Sequence, residues 1–122
     1  MATLRQTVEE MAGIQQDMGE TAVTALSDPS AKVRLLAMRR RYAAHIVAVS
    51  EAIDQDAGLR ADPELAHEFR GRFSQMRTLV AFHQAKWPVV LLDEAGQEFR
   101  DSARAVIEGN RAFVTWALSV LK

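Results

Sequence analysis

Ser27-Asp28-Pro29 stops one helix and starts the next. An aspartate just before a helix accepts from backbone N–H groups that have no partner in the first turn. A proline at the first helical position loses nothing by its missing N–H. The same pair returns as Asp62-Pro63. On either side of both marks the apolar residues recur at helical spacing. Upstream, a helix over about 3–26 opens with Thr3 and Gln6 in capping-box spacing. Leu4, Val8, Met11, Met18, Ala22 and Ala25 form one stripe, with Gln15 at the position an apolar residue would fill. Gly13 and Gly19 each weaken this helix by roughly 1 kcal/mol relative to alanine, which predicts the least stable of the long helices.

Downstream of Asp28 a helix is predicted over 29–57, with Gly58 as its terminator. Its stripe is Ala31, Leu35, Met38, Tyr42, His45 or Ile46, Val49 and Ile53. The helix over 63–86 carries Leu65, Phe69, Phe73, Met76, Val80, His83 and Trp87, and Pro88 sets its end near Lys86. A last helix over about 95–121, opening between Asp93 and Gln97, carries Phe99, Ala103, Val106, Asn110, Phe113, Ala117 and Val120. No segment alternates as a paired strand does, and Val89–Leu92 is at most a short extended piece. Helices of similar length joined by short links favour antiparallel neighbours. The expectation is an all-α, antiparallel up-down-up-down four-helix bundle in a single domain over residues 1–122.

The 122 residues include no cysteine, which removes disulfides, thiolate metal sites and a cysteine nucleophile. A net charge of -1 gives no bias towards nucleic acid. The first ten residues lack the apolar run of a secretory signal. Val89–Leu92 and Phe113–Leu121 fall far short of the ~20 residues that span a bilayer. The expectation is a cytoplasmic protein with no membrane insertion and no nucleic-acid partner. Arginine preferred over lysine, together with frequent alanine, fits a GC-rich bacterial genome.

The basic cluster Lys32, Arg34, Arg39, Arg40 and Arg41 has two readings, a phosphate patch or a solvated and partly paired face. Antiparallel levels favour the second. They set Asp17 and Glu20 opposite Arg39–Arg41, and Glu51 and Asp54 near Arg70 and Arg72. Paired carboxylates such as Asp54/Asp56 and Asp93/Glu94 sit at helix ends, where caps and solvated charge are usual. Glu64 and His67 have the Glu-x-x-His spacing of di-iron bundles, but that chemistry needs two such motifs, so no metal and no cofactor is expected. No nucleophile elbow, Walker loop or His-Glu-x-x-His run is present, and the chain is expected not to be an enzyme.

His45 and Asn110 come out at the same height in an antiparallel bundle, which predicts a core polar pair that fixes register. His83 comes out near Asp101, Arg104 and Leu36. His83-Gln84-Ala85-Lys86 resembles the His-x-x-Lys spacing of histidine-containing phosphotransfer domains, which are four-helix bundles of this size. That resemblance implies a phospho-acceptor at His83, or at His45, with Lys86 assisting. Trp87 stands where those domains carry glycine, and Ala48 and Val49 follow His45 at the corresponding positions.

Lys86-Trp87-Pro88-Val89-Val90-Leu91-Leu92-Asp93 puts an apolar run at a helix–helix link, where polar residues are usual. One reading folds the run back as a plug on the bundle end. The other makes Trp87, Pro88, Val89, Val90, Leu91 and Leu92 a partner-binding surface, for another protein or a second copy of this chain. At the level of architecture the chain looks like bacterial secretion and flagellar export chaperones, which implies a non-catalytic adaptor. A third reading is a ligand cavity among Met38, Tyr42, Phe73, Met76 and Phe113.

Overall fold

Every element of the computed structural model is helical, and it describes residues 2–94 and 96–121, with the backbone alone at 93 and 94. The α-helices are α1 (Leu4–Ala25), α2 (Pro29–Gln55), α3 (Ala57–Arg60), α4 (Pro63–Lys86) and α5 (Gly96–Val120). A 3-10 helix, Val89–Glu94, lies between α4 and α5. The start signals act as their chemistry requires. Thr3 Oγ1 accepts from the Gln6 N–H at 3.1 Å, and Gln6 Oε1 accepts from the Thr3 N–H at 2.9 Å. Asp28 Oδ1 accepts from the Ser30 N–H at 2.9 Å, and Asp62 Oδ1 accepts from the Leu65 N–H at 3.1 Å.

Two local expectations are corrected. Gly58 does not end α2, which stops at Gln55. Asp56 leaves the helical region and its carboxylate accepts from the Leu59 N–H at 3.0 Å, so a further helical turn, α3, contains Gly58. Val89–Leu92 is not extended: the Leu91 N–H donates to the Pro88 carbonyl at 2.9 Å and opens the 3-10 turn.

α1 packs along α2 and α5, and α4 packs along α5. Individual contacts fix the directions. Arg5 at the start of α1 donates to the carbonyls of Leu118 (3.0 Å) and Leu121 (2.6 Å) at the end of α5. Phe69 meets Phe113 edge-on at 5.7 Å while His83 meets Phe99 at 5.4 Å, so α4 and α5 run oppositely. Asp54 near the end of α2 holds Arg70 near the start of α4 at 3.2 Å. Arg72 pairs with Glu68 at 3.0 Å on its own helix instead of with α2.

The core is built from the stripes. Met11, Leu35, Ile53, Phe69 and Phe99 are fully buried, each such side chain worth about 1.5–3 kcal/mol against exposure. Phe69, Phe73, Phe113 and Trp116 form one aromatic group, with the Arg72 guanidinium 4.4 Å above the Trp116 ring. None of the described helices is long and apolar enough to cross a membrane.

Candidate functional site

α4 ends because Pro88 cannot follow a helical residue, and Trp87 is left outside the helical region as the cap. Three interactions hold it there. Its N–H donates to the His83 carbonyl at 3.0 Å, its carbonyl accepts from Arg39 Nη1 at 2.8 Å, and its ring meets Phe99 edge-on at 5.8 Å. The Lys86 ammonium lies 5.6 Å from the same ring. The indole N–H is buried with no partner among the described residues.

The six link residues then divide. A 3-10 helix has three residues per turn, so Val89 and Leu92 share one face and Val90 and Leu91 take the other. Leu92 is 1% exposed and Val89 is buried, while Val90 is 80% exposed and Leu91 48%. Pro88 is half-buried. The segment is therefore plug on one side and open apolar surface on the other. Phe82, one and a half turns before the link, is 72% exposed. It lies off the core stripe of α4, a signal already present in the sequence. Leu36, one turn from Arg39 on α2, is also exposed.

His83 shares the Phe99 ring with Trp87. Its Nδ1 and Ser102 Oγ are hydrogen-bonded at 2.7 Å, and its ring stacks on Phe99. Burial, helped by the neighbouring Arg39 charge, pulls its pKa down to about 4. The ring occupies the last turn of α4 and is half-buried, whereas a phosphotransfer acceptor stands in solvent at mid-helix.

The expected pairing of His45 with Asn110 does not occur. His45 Nε2 lies 2.8 Å from the Thr7 carbonyl of α1, with Glu10 at 4.0 Å. Tyr42, Ile46 and Val49 take the buried face of α2, which turns His45 to the seam with α1. That seam holds a cleft of about 460 Å³ where His45 faces Glu10, Asp17 and Arg41. Arg39, expected opposite Asp17 and Glu20, instead spans to the Trp87 carbonyl. Asn110 is buried and its Oδ1 meets no partner among the described residues, while the Tyr42 phenol lies against the Gln15 side chain. The side chains of Asp93 and Glu94 lie outside the described residues. Among the described residues no three His, Asp or Glu are grouped to hold a metal ion.

No known protein family, curated protein or solved structure matches this chain.

Proposed function

We propose that this chain is a non-catalytic adaptor of the bacterial cytoplasm that docks a partner protein on the apolar end around the α4–α5 link. In this reading α1, α2, α4 and α5 form an antiparallel up-down-up-down bundle, with α3 as a cap on the link between α2 and α4. The observation that carries the reading is the split of the link segment. Val89 and Leu92 fill the bundle end, and a plug needs no more than that. Val90 and Leu91 face outward, where polar side chains would cost the fold nothing. Exposed Phe82 stands near the same end, and burying a phenylalanine is worth about 1.5–3 kcal/mol to a complex. The backbone beneath is pinned by Arg39, Phe99 and the Pro88 carbonyl, so little ordering cost remains on docking. The favoured partner element is an apolar helix of another protein, with a second copy of this chain as the alternative occupant.

The test places a photo-crosslinking benzoylphenylalanine at Val90 in living cells, with Glu68, exposed towards the other end of α4, as the control position. A predominant crosslinked product from position 90 and not from 68, lost when Leu91→Ser and Phe82→Ser are added, supports the reading. Equal products from both positions overturn it. The reading also predicts that Val90→Ser with Leu91→Ser leaves the helical circular dichroism and the melting temperature within about 3 °C of the parent, because exposed substitutions rarely exceed ±0.5 kcal/mol.

A further inference from the structure

α2 carries two apolar faces. One is the buried face of Leu35, Tyr42, Ile46, Val49 and Ile53 that packs into the core. The other is formed by Val33, Leu36, Arg40, Ala43 and Val47, which follow one another at alternating spacings of three and four residues. That spacing draws a single stripe along a helix, the seam by which one helix packs on another. Every residue of the stripe is exposed, Val33 at 71% and Val47 at 57%. Apolar residues scattered singly over a surface need no explanation, but a stripe in register over roughly four turns does.

The fold leaves this second face open. α2 packs closely along α1 but not along α4. α2 and α4 are tied by Arg39 to the Trp87 carbonyl at 2.8 Å and by Asp54 to Arg70 at 3.2 Å. A helix that is apolar on two sides is suited to lie between two partners, and this chain covers only the first side. The charge on the same stretch says what would cover the second. Residues 29–50 hold Lys32, Arg34, Arg39, Arg40 and Arg41 and no Asp or Glu. Arg40 stands in the middle of the stripe and meets no carboxylate among the described residues. A helix laid over Val33 to Val47 buries Arg40, and a buried charge must be paired. The same stripe of a second copy cannot pair it, because a two-fold contact centred here sets Arg40 on Arg40.

We propose that this face of α2 docks an amphipathic helix of another protein, apolar along its own seam, acidic beside it, and with one carboxylate facing Arg40. Val33, Leu36 and Val47 supply the apolar area, and Arg40 fixes the register, as a lone polar residue in an apolar seam does. Opposite charge speeds the encounter and rejects basic helices. The stripe has none of the aromatic residues with which a helix enters a lipid surface, which favours a protein over a membrane. It lies on a different element from the α4–α5 link and does not rest on the docking proposed there.

The test titrates two synthetic helical peptides of about three heptads into the 15N-labelled protein. Both carry leucine at the a and d positions, one with glutamate and the other with lysine at e and g. Expected with the glutamate peptide are saturable shifts of the Val33, Leu36, Ala43 and Val47 amides, with Kd on the order of 10 μM. The affinity should fall about tenfold between ~0.05 and ~0.5 M salt, and the lysine peptide should bind about tenfold more weakly throughout. Arg40→Glu should reverse the preference between the peptides with the helical circular dichroism unchanged. If that variant fails to fold, Val47→Ser, at another exposed position, must weaken the glutamate peptide several-fold. Equal binding of the two peptides, or no saturable shift with the glutamate peptide, would overturn the proposal. So would a reversible dimer broken by Val47→Ser, which points to a second copy, or displacement of the glutamate peptide by phosphatidylserine–phosphatidylcholine vesicles, which points to a lipid surface.

Discussion

His83 gives the molecule a pH dependence whose sign follows from burial. In the folded chain its pKa is about 4, against an unfolded value near 6.5. Between those values the unfolded chain binds the extra proton, so stability is full above pH 6.5 and falls as pH drops towards 4. Discounted for the half-exposed ring, the loss is about 1–2 kcal/mol. Denaturant unfolding at pH 5 and pH 7 measures it, and His83→Phe, which keeps the stack on Phe99, should flatten that part of the profile. Two helix glycines, Gly13 of α1 and Gly109 of α5, behave differently from one another. Nothing lies within 4 Å of a Cβ built on Gly13, so Gly13→Ala should stabilise by about 0.5–1 kcal/mol in thermal melts. At Gly109 a Cβ would meet Leu79 Cδ2 at 2.6 Å. Gly109→Ala must therefore push a half-exposed leucine aside, and the same melts should show little or no gain.

The elements begin and end by chemistry contained in a few neighbouring residues, and that is why they were legible. Asp-Pro twice, the Thr3–Gln6 box and Pro88 act within one turn and need no knowledge of the fold. Asp62→Ala should cost about 1 kcal/mol by denaturant unfolding through loss of the bond to the Leu65 N–H. Gly58 misled because the competing signal, Asp56 as a second cap, lay two residues before it. The link segment was also visible in sequence, but its division was not. Which of Val89 to Leu92 faces inward depends on whether the run is extended or a 3-10 turn, and the two periods choose different residues. Leu92→Ala should cost about 2–4 kcal/mol, against almost nothing for Val90→Ser, and a pair of melts separates them. Height along a helix was readable from the rise per residue, whereas rotation about the axis was not. Height alone therefore puts His45 level with Asn110, whereas its rotation about the α2 axis brings it to the Thr7 carbonyl.

Across the whole molecule one side chain ties the start of the first helix to the end of the last. α5 has no basic residue in its own last turn, and Arg5 of α1 supplies a cation to its open carbonyls at Leu118 and Leu121. Helix ends usually fray independently and lend little to each other. Here the last turn of α5 cannot loosen without releasing the first turn of α1. The two segments, more than a hundred residues apart in sequence, form one opening unit. Their backbone amides should exchange with deuterium together and at one rate, and Arg5→Met should split that rate into two, with α5 the faster.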